Sequence, residues 1–258
     1  MVERPLRDNR GMTSPPLGVD AVHERLAGDL LAVGAPYGLV LAGGDAVRAH
    51  GLVDARVSEG VDLATEHPAG MAEIAAAVRA GLEARGWPVE VPVVDPLAAR
   101  LVVGDEETGV RWRVDLRKEV LWRPPVTTPA GPALSLEDLV GTRVRALADR
   151  GLPRDLVDVH AAADRWSPAE LEELGRRHAP DTFDLAELQS RLTGTEWLDD
   201  REFRVHGLDA PQIEELRRWA LAWADDIAER LVEGEAPEDF EGSGGSEESE
   251  GPDGPGEP

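Results

Sequence analysis

A chain of 258 residues with 41% hydrophobic content is long enough for one larger domain, or for a small α/β domain with a helical companion. It has no cysteine, which excludes disulfide frameworks, thiolate zinc sites and cysteine nucleophiles, and its formal net charge of -24 opposes nonspecific attachment to nucleic acid or to an anionic membrane. The first twenty residues lack the apolar stretch of a signal peptide and no later run reaches the roughly 18 apolar residues of a membrane span, so a soluble, cytoplasmic protein is expected.

Residues 1–17 hold three prolines and little apolar pattern, and read as a flexible arm. From Val19 to Val33, apolar residues at positions 19, 22, 26, 30 and 31 recur at helical spacing before the Gly34-Ala35-Pro36 break. Tyr37 to Ala42 is a short apolar run suited to a buried strand, and Gly43-Gly44 then opens a helix from Asp45 to His50. Gly60 to Thr65 reads as the next strand, and Gly70 to Arg85 as a helix ended by Gly86-Trp87-Pro88. Further strands are expected at Val89 to Val94, Arg100 to Val103 and Val110 to Leu116. In the last of these, Val110, Trp112, Val114 and Leu116 share one face, while Arg111, Arg113 and Asp115 share the other.

A proline-rich joint from Pro124 to Pro132 separates this core, residues 18–123, from a helical region, residues 124–232. Ser135 with Asp138 resembles a capping box before a first helix carrying Val140, Arg143, Val144 and Leu147. Arg154 to Trp166 and Pro168 to His178 follow. A long last helix then lines up Ile213, Leu216, Trp219, Trp223, Ile227 and Leu231, its tryptophans read as core. The fold class is α+β. Residues 233–258 carry ten acidic residues and no basic one, and this low-complexity Gly/Ser/Glu/Pro segment reads as a disordered acidic tail. The basic residues are nearly all arginine, Lys118 being the only lysine. That bias suits a GC-rich genome and is given no functional weight. The six histidines show no zinc-ligand spacing.

Chemistry concentrates at two places. A Gly-Gly turn between strand and helix lets backbone N–H groups approach a phosphate, and Asp62 lies between Val61 and Leu63 on a neighbouring strand. With period 2, Asp62 and Asp115 can look out of the same side of a sheet, where two carboxylates suit Mg²⁺. Solvated aspartates on an open sheet face fit the same spacing.

The segment GLVLAGGDAVRAHGLVDARVSEGVDLAT, the later RVDL at Arg113 to Leu116, and ALADRGLPRDLVDVHA resemble the AbiEii-type nucleotidyltransferases, a toxin family of abortive-infection and toxin–antitoxin systems. Gly43, Gly44 and Ala46 match the family's turn, Arg56, Ser58 and Asp62 its metal strand, and Asp115 its third carboxylate. Arg150, Arg154, Asp155 and Asp158 match its helical signature. The resemblance implies a nucleotidyltransferase-like mixed sheet with flanking helices, followed by a helical C-terminal region. It also implies transfer of a nucleoside monophosphate from NTP to an acceptor such as tRNA or another RNA, and a cognate antitoxin as partner. Asp62 and Asp115 are then catalytic and metal-binding, while Gly43, Gly44, Ser58 and Arg143 bind nucleotide, with Mg²⁺ as cofactor.

Three departures accompany the resemblance. Gly60 stands where the family has its first metal aspartate, Arg143 where it has a helical lysine, and Asp45 adds a negative charge after the glycines. Glu59 is a candidate replacement metal ligand, although in a regular strand it points away from Asp62's face. A catalytically degraded fold that binds nucleotide or protein is therefore the alternative to an active enzyme.

Overall fold

The computed structural model describes residues 19–53 and 60–235; Arg56, Ser58 and Glu59, the N-terminal arm and nearly all of the acidic tail lie outside the described residues. The chain begins with α1 (Val19–Gly34) and a single 3-10 turn over Ala35–Tyr37, so the expected first strand shrinks to β1 (Val40–Leu41). Helix α2 (Gly43–Ala49) starts at the glycines themselves rather than after them. Strand β2 (Gly60–Thr65), helix α3 (Met71–Glu83) and strands β3 (Val89–Val94), β4 (Ala98–Gly104) and β5 (Arg111–Lys118) follow.

The stretch expected as a joint instead contains β6 (Val126–Thr128) and β7 (Gly131–Ala133). This hairpin joins the sheet through a parallel contact of Leu41 with Ala133, giving the mixed order β3-β4-β5-β2-β1-β7-β6. Of the two, only β6 is an edge strand; Pro132 on β7 is tolerated because β7 meets β1 at a single register position, Leu41 with Ala133, which leaves the proline outside that ladder.

At the sheet's centre β2 and β5 run parallel with Asp62 opposite Asp115, while β4 flanks β5 antiparallel with Arg100 opposite Asp115. The alternation in β5 is realised in space. Trp112, Val114 and Leu116 are buried in the core, and Arg113, Asp115 and Arg117 line a cavity on the other face. The core face is covered by α1 and α3, whose Leu26, Leu30, Ile74, Val78 and Leu82 are fully buried. Each such side chain contributes roughly 2 kcal/mol of transfer free energy. Lys118 donates to the carbonyl oxygens of His67 and Ala69, so the one lysine ties down the turn between β2 and α3.

The helical part comprises α4 (Leu136–Arg150), α5 (Pro153–His160), α6 (Pro168–Arg177), α7 (Leu185–Thr193), α8 (Asp200–Arg204) and α9 (Ala210–Glu235). Helix α5 ends six residues before the expected Trp166, and α7 and α8 are additional to the sequence reading. Ser135 caps α4 by accepting from the Asp138 amide, and Asp138 accepts in return from the Ser135 hydroxyl. Helix α4 joins two apolar clusters: Leu139 packs in the sheet core, while Val140, Val144 and Leu147 pack in the helical one. On α9, Ile213, Leu216, Trp223 and Ile227 are buried, and Trp223 donates its indole N–H to Glu172 on α6 at 2.9 Å. Among the described residues no helix is long and apolar enough to cross a membrane.

Candidate active site

The cavity on the open face of the sheet has a volume of about 330 Å³ and lies between the sheet and α4 and α5. Gly43 and Gly44 open onto it from α2, Asp62 from β2, and Asp115 from β5. Gly43 is required twice over. Its φ is +58°, and a Cβ there would fall 2.0 Å from Asp62 Oδ2, so only glycine lets the turn pass under the carboxylate. A Cβ on Gly44 would meet nothing within 4 Å, which leaves that side of the turn open to a ligand.

Asp115 is 6% exposed and is held by two arginines. Arg100 donates from Nε to Oδ1 at 2.7 Å and from Nη2 to Oδ2 at 3.3 Å, and Arg113 Nε stands 3.2 Å from Oδ2. Gly60 does more than omit a carboxylate. A Cβ at that position would lie 2.2 Å from the carbonyl oxygen of Arg113 on β5, so any side chain there displaces backbone. Asp45, expected beside a bound phosphate, instead turns under α2. It pairs with Arg48, lies 3.6 Å from His23 Nε2 and does not line the cavity. Burial, opposed by His23 and Arg48, raises its carboxyl above the usual range, with a smaller upward push from Asp62.

The helical signature forms the opposite wall. Asp155 is fully buried and accepts both donors of Arg150 at 2.7 Å. Arg143 Nε lies 3.4 Å from Asp158, and its Nη1 lies 3.9 Å from Asp155. Arg143 thus lines the cavity and is also part of the tie between α4 and α5.

Arginine is where the sequence reading falls short. Seven arginines, at positions 48, 113, 117, 143, 145, 150 and 154, line the cavity against four carboxylates, Asp62, Asp115, Glu119 and Asp158, in a chain whose formal charge is -24. The bias set aside as genomic is spatially sorted. Arg113 was visible on the polar face of an alternating strand, Arg150 and Arg154 in the helical signature, and Arg143 in place of that signature's lysine, while Arg117 lay beyond the expected strand. Nothing in the sequence placed the two sets across one cavity. His206, just after α8, also lines it and carried no sequence signal.

The sequence pattern of the family described as "Nucleotidyl transferase AbiEii toxin, Type IV TA system" matches residues 25–241. The chain belongs to that family. Among solved structures, the AbiEii fold is shared with MenT4, a nucleotidyltransferase toxin from Mycobacterium tuberculosis H37Rv, at 16% identity and a TM-score of 0.54, covering 83% of this chain and 91% of that one. A Helicobacter pylori protein matches at 17% identity and a TM-score of 0.50, covering 84% and 98%. A second from the same organism, JHP933, matches at 20% identity and a TM-score of 0.48, covering 83% and 94%. No curated protein matches. The expected α+β nucleotidyltransferase-like sheet with a helical C-terminal region is what the chain forms.

The described residues offer a metal ion two carboxylates on adjacent strands. Asp62 and Asp115 stand in register on adjacent parallel strands and supply hard oxygen donors, which Mg²⁺ takes in ones and twos alongside water and substrate phosphates. Among the described residues no three His, Asp or Glu side chains group at ion-binding spacing.

Proposed function

We propose that this AbiEii protein transfers a nucleoside monophosphate from an NTP to an acceptor hydroxyl, with tRNA or another RNA as the acceptor the family resemblance implies. In this reading it acts in the cytoplasm as the toxin of a pair whose second member is a cognate antitoxin. The observation that carries the reading is the pairing of Asp62 with Asp115 on the face of the sheet that opens, past the Gly43-Gly44 turn, into an arginine-lined cavity.

The glycine turn and the arginines receive the triphosphate, because guanidinium groups match phosphate oxygens in a fork geometry. Mg²⁺, held by Asp62 and Asp115, would neutralise phosphate charge and polarise the α-phosphate. The acceptor oxygen bonds to the α-phosphorus as the bond to the bridging oxygen of pyrophosphate breaks. The hydroxyl proton passes to a cavity carboxylate, and the departing pyrophosphate takes the negative charge. Arg143 and Arg154, which line the cavity, would compensate that charge.

The test incubates the purified protein with each labelled NTP, Mg²⁺ and total RNA, alongside Asp62→Ala and Asp115→Ala. Label transfer by the wild type that both substitutions abolish supports the reading, and transfer unchanged in both refutes it. A second reading, a nucleotide-binding module without turnover, is favoured by the glycine at position 60 packed on the Arg113 carbonyl. Tight NTP binding with no transfer to any acceptor would select it.

A further inference from the structure

Three observations in the cavity converge on its cations. At position 60 the strands β2 and β5 approach so closely that a Cβ would lie 2.2 Å from the Arg113 carbonyl oxygen and 3.1 Å from Arg113 Cβ. A metal-binding side chain at that position does not fit this backbone. At the same level of β5, the Arg113 side chain reaches back to Asp115, and Arg100 holds the same carboxylate from β4. Positive charge is thus already fixed on the second carboxylate by side chains of the protein. Across the cavity, Arg154 Nε is buried without a hydrogen-bond partner, and among the described residues no carboxylate oxygen lies within 4.0 Å of the Arg154 guanidinium nitrogens.

Burial and like charges surround Arg154 in the cavity. Burial, then Arg150, and more weakly Arg113 and Arg143, push its guanidinium below the ordinary value, with Asp155 pulling the other way. Arginine keeps its charge, so an anion entering the cavity meets a guanidinium whose Nε has no other hydrogen bond. Arg113 from the sheet and Arg154 from the helical wall both line the cavity and act on each other electrostatically. A polyanion between them meets both.

We propose that Arg113, anchored on Asp115, and Arg154 take the part of a second metal ion, so that this chain binds the triphosphate of an NTP without any divalent cation and uses at most one in turnover. The inference rests on the nucleotidyl-transfer reading for the identity of the ligand. It concerns how the charge of that ligand is met. Fixed guanidinium groups offer bidentate hydrogen bonds to phosphate and need no assembly from solution, whereas a two-ion site needs a third carboxylate that position 60 does not provide.

The experiment measures binding of each of the four NTPs to the full chain by titration calorimetry, once in EDTA and once in Mg²⁺, with thermal unfolding as a check that every variant is folded. For the NTP that binds, the dissociation constant in EDTA is expected within about threefold of that in Mg²⁺. Arg154→Ala and Arg113→Ala are each expected to weaken binding in EDTA by roughly tenfold or more, and Arg154→Lys by less than Arg154→Ala, because the charge survives and the fork does not. If Arg113→Ala does not fold, Arg113→Gln takes its place. Binding that appears only with Mg²⁺, and that Glu59→Gln removes, overturns the proposal in favour of a two-ion carboxylate site while leaving the nucleotidyl-transfer reading intact. Equal affinity of wild type and both arginine variants in EDTA overturns it as well. No binding of any NTP in either buffer removes the nucleotide reading itself, and this proposal with it.

Discussion

Restoring the missing family carboxylate by Gly60→Asp is expected to destabilise the protein rather than activate it. The Cβ common to every residue but glycine would stand 2.2 Å from the Arg113 carbonyl oxygen, well inside van der Waals contact, and the obstacle is backbone in the central β2–β5 pair, held by a register that runs from Gly60↔Arg113 to Thr65↔Lys118. Relief requires the strands to part by about 1 Å at that end, and overpacking of this kind costs roughly 1–3 kcal/mol. Replacing glycine would otherwise stabilise by roughly 0.4–1 kcal/mol through the unfolded chain, so a net loss near 1–2 kcal/mol remains. For a chain of this size that corresponds to a fall in melting temperature of about 2–8 °C. Gly60→Ala carries the same Cβ without the charge and should show most of the loss. Calorimetric melting of wild type, Gly60→Ala and Gly60→Asp measures it, with label transfer assayed in parallel. A Gly60→Ala protein as stable as the wild type, or a Gly60→Asp protein with raised transfer activity, refutes the steric reasoning.

Three further outcomes follow from the packing around the site. Asp155→Ala leaves Arg150 without its bidentate partner and Arg143 with one carboxylate fewer, and should cost about 3 kcal/mol in urea denaturation, the low end for a buried pair because the Arg150 side chain is 35% exposed. Trp223→Phe removes the donor to the buried Glu172 and should cost about 2 kcal/mol, with nucleotide binding unchanged, whereas Trp219→Phe, only partly buried, should cost less than about 1 kcal/mol. The carboxyl of Asp45 is raised above its usual value of 3.8, so the stability linked to it is present below that pH and lost as pH rises through the higher folded-state value. Measured against Asp45→Asn, the wild type should therefore lose relative stability as pH rises from below about 4 towards neutrality. A relative gain over that range would show that His23 and Arg48 outweigh burial.

Much of the sheet was legible because its signals are local. The alternation in β5 announced which residues face the core, and period 2 alone aligned Asp62 with Asp115 once their strands were neighbours. The α9 stripe likewise foretold the burial of Trp223. The β6–β7 hairpin was missed because proline and glycine mark breaks in sequence, while a three-residue strand that meets β1 at one position leaves room for them. Helices α7 and α8 carry local signals that the reading passed over: Asp184 caps α7 ahead of Leu185, Leu188 and Leu192 at helical spacing, and Asp199 with Glu202 forms a capping box at α8, but nine and five residues are short for periodicity to stand out.

The sequence by itself therefore determined the strands other than β6 and β7, the common face of the two aspartates and the glycine turn, and its motifs carry the likeness to a toxin family. It also showed that position 60 lacks a carboxylate. It did not show that Gly60 is pressed against a neighbouring backbone, that Asp45 faces away from the site, or that Asp115 is held by two arginines. Those facts depend on which strands and helices meet, and long-range contacts between residues 60 and 113, 23 and 45, and 100 and 115 are written in no local pattern. Only the closed fold brings arginines from β5, α2, α4 and α5 around one cavity, because like charges so far apart in the chain converge only where the packing of an apolar core forces their backbones together.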